Sequence, residues 1–146
     1  MSPAEISLAK FGTSFQENLV HLIFEDRAFS DQIREVLDVE FLEVKYLRLF
    51  LKRMFDHRDK YGTHPSRDAM TTMLRTELDG ENEVVVKQVR EFYARILSNK
   101  SPVRDQDYIR SVSLEFCRKQ KLKEALLESA DLIHRTMRFA RRLIRL

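Results

Sequence analysis

The chain has 146 residues, of which 43% are hydrophobic and 34% are charged. This balance is typical of one globular domain and excludes a disordered acidic or basic chain. The chain contains only three glycines and three prolines, which are too few for a sheet with many turns. The composition therefore favours an all-α fold.

The net charge of +3 is concentrated at the end of the chain. Residues 134–146 contain five arginines and no acidic residue, and without them the 26 basic residues fall to 21 against 23 acidic ones. We therefore expect an anionic partner to meet this end of the chain rather than the nearly neutral body.

Three features predict a cytoplasmic protein that does not enter a membrane. Cys117 is the only cysteine, so the chain cannot form an internal disulfide, which suits a reducing compartment. The first residues, Met-Ser-Pro-Ala-Glu-Ile, lack the basic and apolar regions of a signal peptide. No apolar run approaches the ~20 residues that a bilayer-spanning helix needs.

The N-terminal part of the chain predicts an arm followed by two helices. Residues 1–12 are expected to form a flexible arm. Thr13 or Ser14 can accept a first-turn N–H group and is predicted to cap a helix that runs to about Asp26. Ser30 is predicted to cap a short second helix in the same way.

The most apolar helix is predicted from about Phe41 to Tyr61. Gly62 is expected to end it in the left-handed conformation that is common after helices. A Pro-Ser pair follows, and Ser66 is predicted to cap the next helix, which runs to about Leu78.

The last helix of the head is predicted from about Glu83 to Leu97. It begins with three consecutive valines, but the helical spacing of the later apolar residues overrides this strand-like start. Ser98 to Pro102 has the composition of a linker. These elements define a helical head over residues 13–100 and a separate segment over residues 101–146.

The segment 101–146 is predicted to form one long helix or a helical hairpin with a basic end. Residues 105–146 contain neither Gly nor Pro, and forty helical residues would reach ~60 Å, longer than a small domain is wide. The predicted fold is therefore all-α, with a compact multi-helix head followed by a long C-terminal helix or helical hairpin.

The apolar stripe of this segment changes face where a basic run, residues 118–121, interrupts it. We expect the part before the run to pack on the head and the part after it to face a partner. The stripe before the run contains Ile109, Val112 and Phe116, and the stripe after it contains Leu122, Leu126, Ala130, Ile133, Met137, Ala140 and Ile144. The residues predicted to form an oligomer interface are Leu122, Leu126, Ala130, Ile133 and Met137.

The arginines at the end of the chain support three interpretations. Four of them recur at helical spacing on one face, which would let them follow a phosphate backbone without reading its sequence. They also fit a solvated face of an amphipathic helix, or a surface that binds acidic helices of another subunit. The residues predicted to contact nucleic acid are Arg135, Arg138, Arg141, Arg142 and Arg145.

The sequence predicts no catalytic, metal or cofactor site. His21, His57, His64 and His134 form none of the close pairs that zinc sites use, and Cys117 lacks the context of a nucleophile. A phosphate-binding loop needs clustered glycines, whereas the three glycines here are isolated. We therefore expect a protein that is not an enzyme and that uses no cofactor.

Several motifs between about Phe15 and Ile133 follow one another in an order shared with a known family. The first are Gln16…Leu19…Ile23, Phe29-Ser-Asp-Gln-Ile33 and Asp38-Val-Glu-Phe41. The next are Arg48-Leu-Phe50, Asp59-Lys-Tyr-Gly62, and Thr63-His-Pro65-Ser66 with Met70…Met73-Leu74. The last runs from Asp107-Tyr-Ile109 to Phe116-Cys-Arg-Lys-Gln-Lys-Leu-Lys-Glu-Ala125. This series resembles the N-terminal domain of DnaB-type replicative helicases, an all-α module that precedes a RecA-like motor.

The resemblance implies a role in DNA replication without catalysis. In that family the domain forms dimers and a ring-shaped collar through a helical hairpin, and it supports contacts to primase and to loading factors. We accordingly expect self-association, as a dimer or a higher ring, and docking of primase or a helicase loader.

The sequence departs from the family in two respects. It contains no motor domain, so the resemblance does not imply helicase activity for this chain, and beyond Ile133 it becomes rich in arginine. We expect a stand-alone or truncated relative, such as a phage protein. The rival expectation is a small helical protein that binds nucleic acid or regulates a helicase through its arginines.

Overall fold

Helices account for most of the chain in the computed structural model, which describes residues 7–99 and 102–145. Within these ranges no residue belongs to a β-strand. The prediction of an all-α fold with a compact head and a long C-terminal helix is confirmed. The α-helices are α1 (Gly12–Glu25), α2 (Arg27–Arg34), α3 (Lys45–Tyr61), α4 (Arg67–Thr76), α5 (Glu83–Ser98) and α6 (Gln106–Ile144), and Leu8–Phe11 and Val39–Phe41 are 3-10 helices.

The N-terminal arm is shorter than predicted. Leu8–Phe11 forms a 3-10 helix, and Leu8 is completely buried in the core. Ser7 caps this helix because its hydroxyl accepts the N–H of Ala9 at 3.0 Å. Residues 7–12 therefore belong to the head, while residues 1–6 of the predicted arm lie outside the described residues.

The first two helices begin differently from the prediction. α1 starts at Gly12 with no side-chain cap, so neither Thr13 nor Ser14 serves that role. α2 is capped by Asp26, whose carboxylate accepts a first-turn N–H group at 3.1 Å. Ser30 lies buried inside α2. A single residue, Asp26, thus follows α1 and caps α2, which leaves no linker for a serine cap to occupy.

The ends of the later helices follow their local sequence more closely. Gly62 adopts the left-handed conformation (φ 72°) after α3, and Ser66 caps α4 by accepting the N–H of Ala69 at 3.1 Å. The start of α3 differs from the prediction, because Val39–Phe41 forms its own 3-10 helix and α3 begins only at Lys45. Residues 100 and 101 of the predicted linker lie outside the described residues.

The core of the head lies around α1, which contacts α2, α3 and α6. Phe50 of α3 is completely buried and joins α3 to the neighbouring helices through aromatic contacts. Its ring centroid lies 5.6 Å from that of Phe24, 5.3 Å from that of Phe92 and 6.0 Å from that of Tyr93. Such aromatic pairs contribute about 0.5–1.5 kcal/mol each beyond the area that they bury.

A buried amide fixes the segment that precedes α3. Gln16 is fully buried, and its side-chain oxygen accepts the N–H groups of Glu43 at 2.8 Å and Val44 at 3.3 Å. Its amide group also donates to the carbonyl of Gly12 at 3.2 Å. These bonds hold the chain between the second 3-10 helix and α3 against α1.

Candidate interaction surface on the C-terminal helix

α6 is one continuous helix of 39 residues, about 58 Å long at 1.5 Å per residue. Of the two predicted alternatives, a helix or a hairpin, the described residues form the single helix. Residues 106–120, the docked half, pack on the head, whereas every residue from 121 to 145, the free half, is exposed. The buried residues of the docked half are Ile109, Ser113, Leu114, Phe116, Cys117 and Gln120.

An ion pair holds the docked half to the start of α2. The Arg110 guanidinium donates to the Asp26 carboxylate at 2.6 Å and lies over the ring of Phe29, 5.9 Å from its centroid. Burial alone would raise the pKa of Asp26, but the N–H of Phe29 and the Arg110 guanidinium outweigh it and hold that pKa below its usual value. The residue that caps α2 therefore also anchors α6.

Two neighbouring residues complete the contact of the docked half with the core. The ring of Phe116 meets those of Phe11 and Phe41 edge-on, with centroids 5.9 and 5.7 Å apart. Cys117 is completely buried, and burial raises the pKa of its thiol to about 12. Because nucleophilic cysteines require a thiolate, Cys117 is a core residue here.

The free half is helical because it extends a helix that the head has already nucleated. Nucleation is the costly step in forming a helix, and each further residue adds a hydrogen bond at little cost. The free half is also rich in Ala, Leu, Lys, Arg and Glu, which favour helices. An ion pair one turn apart, from Arg135 to Asp131 at 2.6 Å, adds a few tenths of a kcal/mol.

The five residues predicted as an oligomer interface all lie on the free half, and the structure brings them onto one face. Their side chains span an arc of about 80° at 100° per residue. Ala140 and Ile144 continue the same face, and we call the seven residues the apolar strip. The exposed fractions of its large side chains are 61% for Leu122, 61% for Leu126, 58% for Ile133, 49% for Met137 and 83% for Ile144.

The apolar strip faces away from the head. At 100° per residue, its centre lies about 140° around the helix from the centre of the buried residues of the docked half. None of the residues 121–145 is buried. A second molecule can therefore approach the strip without meeting the head of the same chain.

Other apolar residues of the free half were not part of the predicted interface. These side chains also lie more than half exposed, at 58% for Leu127, 63% for Leu132, 61% for Phe139 and 55% for Leu143. The seven-residue spacing of Leu132 and Phe139 is the sequence pattern that could have predicted this additional apolar surface, because it places both residues on one side of a helix. They widen the apolar surface beyond the strip.

The predicted nucleic-acid contacts occupy another face of the same half. Arg135 is paired with Asp131, but no ion pair is formed by the other four arginines within residues 7–99 and 102–145. The centre of the arginine face lies about 125° around the helix from the strip. The arginines and the strip can therefore act separately. The four arginines without an ion pair are Arg138, Arg141, Arg142 and Arg145.

The histidines have separate structural surroundings. His64 makes a hydrogen bond with the carbonyl oxygen of Phe24 through its Nε2 atom at 2.7 Å. The Nε2 atom of His21 lies 3.7 Å from the Oε1 atom of Glu25. Burial lowers the pKa of the His21 imidazole below its usual value. In the described part of the chain, no three His, Cys, Asp or Glu side chains are grouped so that they could hold a metal ion.

No helix within residues 7–99 and 102–145 has the length and apolar character needed to cross a membrane. Comparison of the chain with protein-family models, with curated proteins and with solved structures finds no match.

Proposed function

We propose that this protein is a non-catalytic oligomerisation and protein-docking module that acts in cytoplasmic DNA replication. The observation that carries the proposal is the free half of α6, which extends about 37 Å beyond the docked half and exposes the apolar strip along its length. Contiguous apolar surface of this kind marks protein–protein contact sites in soluble proteins.

The size of the strip suits a reversible association. Complete burial of one large apolar side chain contributes about 1.5–3 kcal/mol, so covering the exposed half of each contributes roughly 1 kcal/mol. The strip has five large side chains, and a symmetric dimer buries two sets, on the order of 10 kcal/mol in total. Association costs about 4–15 kcal/mol in lost freedom, so the oligomer is expected to depend on protein concentration.

The resemblance to the N-terminal domain of DnaB-type helicases supports the replication role. In that family a helical hairpin after the head mediates self-association, and the domain as a whole docks primase and loading factors. The free half follows the head at the corresponding position of the chain, but it is part of one helix and not of a hairpin. On this proposal, self-association through the free half presents several heads to primase or a helicase loader.

The mass of the protein in solution tests the self-association. Sedimentation across the micromolar range should show a dimer or a higher ring for the native protein. The double variant Leu126→Asp with Ile133→Asp should be monomeric, because it places four charges in the interface of a dimer. The control Val84→Asp alters an apolar residue of the head that is 65% exposed, and it should leave the mass unchanged.

Two results would contradict the self-association. One is a native protein that stays monomeric at the highest concentration. The other is an oligomer that persists in the double variant, which would place the interface elsewhere.

The four arginines without an ion pair favour a second candidate function, the binding of nucleic acid. Phosphate contacts release counterions, so binding to duplex DNA should weaken with salt by a slope of about 0.9 per contact. Replacing Arg138 and Arg142 with Ala should therefore lower that slope by about two. The control, in which Lys52 and Arg75 on the surface of the head become Ala, should leave the slope unchanged. Binding to a fluorescent duplex that does not respond to salt would remove this candidate.

A further inference from the structure

We propose that two copies of the chain pair through their free halves in an antiparallel arrangement, with a twofold axis beside Arg135. This inference rests on the proposed self-association and specifies its partner, a second copy, together with its direction and register. Three features support this pairing: the spacing of the apolar residues of the free half, the distribution of its charges along the helix, and the position of the head relative to the seam.

Six residues of the apolar strip have the spacing of a coiled-coil seam. They are separated alternately by four and three residues, as the a and d positions of a heptad are. The seam consists of Leu126, Ala130, Ile133, Met137, Ala140 and Ile144. Leu122, the remaining residue of the strip, lies next to its first turn.

The seam is symmetric about residue 135 in the size of its side chains. Leu126 and Ile144 lie equally far from residue 135, and so do Ala130 and Ala140, and Ile133 and Met137. An antiparallel pair centred there places large side chains opposite large ones and Ala opposite Ala in every layer. The two Ala layers let the helices approach closely on either side of the central layers.

Other antiparallel registers use the seam less completely. A shift by one heptad leaves two of the six seam positions of each chain without a partner. It also places Ala130 opposite Ile133, or Ala140 opposite Met137, so that small and large side chains meet. The register centred on residue 135 is therefore the one in which each seam residue is covered by a residue of similar size.

The charges of the free half give a small, long-range preference for the antiparallel direction over the parallel one. Residues 124–131 contain three acidic residues and no basic one, whereas residues 135–145 contain five arginines and no acidic one. Antiparallel pairing sets each acidic stretch level with the arginine-rich stretch of the other chain along the rod, and parallel pairing sets the two arginine-rich stretches level with each other. At 100° per residue, Arg141 lies about 60° from the centre of the seam, and the other seven charged residues lie about 100° or more from it, on the outer sides of the pair. Because these charges point outward from helix axes that are already about 8–10 Å apart, most of them lie beyond the ~8 Å screening length at physiological salt, and the preference that they give is small and strongest at low salt.

The heads do not obstruct this arrangement. The seam points about 140° away from the docked side of α6. Gln120, the last buried residue of the docked half, lies 15 residues from the proposed axis, so the two docked halves end about 45 Å apart along the helices. The dimer is thus a rod with one head at each end.

Cysteine crosslinking of the full chain tests the direction and the register together. The variants Ala130→Cys and Ala140→Cys are prepared separately, one with a mass tag, and are oxidised alone and as a mixture. The native Cys117 is retained because it is completely buried. The mixture should form a disulfide between the two variants, since opposite residues in one layer come within the 4.4–6.8 Å Cα separation of a disulfide.

Neither variant should crosslink to itself. Two copies of residue 130, or of residue 140, lie ten residues apart along the proposed pair, about 15 Å. The control Leu132→Cys places an exposed thiol about 120° from the seam, and it should form no disulfide, alone or in a mixture. It thereby measures crosslinking by random collision.

The possible results separate this inference from the proposed function. A disulfide of Ala130→Cys with itself, in a protein that is dimeric by mass, overturns the antiparallel direction and leaves the self-association standing. A dimer that gives no disulfide in the mixture overturns the register. A protein that is monomeric at all concentrations overturns the self-association and, with it, the pairing.

Discussion

The change Ile133→Ala separates the contribution of the seam from that of the head. Ile133 is 58% exposed in the single chain and lies next to the proposed twofold axis, opposite Met137 of the second copy. Ala is the strongest helix former, so the variant should keep the free half helical. Any loss of dimer is then a loss of contact between chains and not an unravelled helix.

The expected size of the effect follows from the exposed fraction and the symmetry. Truncating a fully buried Ile to Ala costs about 2–5 kcal/mol. A partner can cover only about half of this side chain, so each copy should lose roughly 1–2 kcal/mol. The symmetric dimer contains two copies of Ile133, so its free energy of dissociation should fall by about 2–4 kcal/mol. This loss raises the dissociation constant by roughly 30-fold to 700-fold.

Two measurements on the same variant make the test specific. Sedimentation equilibrium gives the dissociation constant, and thermal unfolding of the dilute monomer gives the midpoint temperature of the head. That midpoint should stay unchanged, because the free half has no buried residue. The control Leu132→Ala removes an apolar side chain of similar exposure, 63%, one residue along the helix. It should change the dissociation free energy by no more than about 0.5 kcal/mol.

If the native protein is dimeric and Ile133→Ala leaves its dissociation constant unchanged, Ile133 does not lie in the interface and the proposed pairing is wrong. A dimer that Leu132→Ala weakens as strongly would also contradict the proposed pairing, because its interface would include the side of the helix that lies outside the seam.

Three further predictions concern the head and the docking of α6. Gln16→Leu leaves two backbone N–H groups without their acceptor and should lower the free energy of unfolding in urea by about 2–4 kcal/mol; an unchanged value would show that water replaces the amide. Asp26→Asn keeps the cap of α2 but loses the carboxylate that Arg110 stabilises. Because the pKa of Asp26 is lowered in the folded protein, the carboxylate contributes to stability above pH 3.8, and this contribution is lost as the pH falls through the folded pKa. The variant should therefore lose less stability on acidification to pH ~3 than the native protein does. The thiol of Cys117, whose pKa burial raises to about 12, should react with a chromogenic thiol reagent only after unfolding. Since the unfolded thiol ionises near 9.0 and the folded one only at about 12, the free energy of unfolding should also fall as the pH rises between these two values, by up to ~1.4 kcal/mol per pH unit.

Local chemistry was sufficient to predict several helix ends correctly. Gly62 and Ser66 act through their own backbone and side chains within one turn of the chain, and both have the predicted roles. The prediction that Ser30 caps α2 is wrong, because Asp26 has the same capping chemistry and occupies the position before the helix. Packing decides between them, since Ser30 is buried within α2 while Asp26 meets Arg110 of α6, which is 84 residues away.

The sequence by itself determined that α6 has two parts. The change of face at residues 118–121 is a property of helical periodicity, which depends only on spacing along the chain. Only the tertiary structure decided that both parts belong to one helix, and that its later apolar residues stay uncovered. Whether a stripe is covered depends on which other helices can reach it, and the helices of the head, gathered around α1, end their contact with α6 at Gln120.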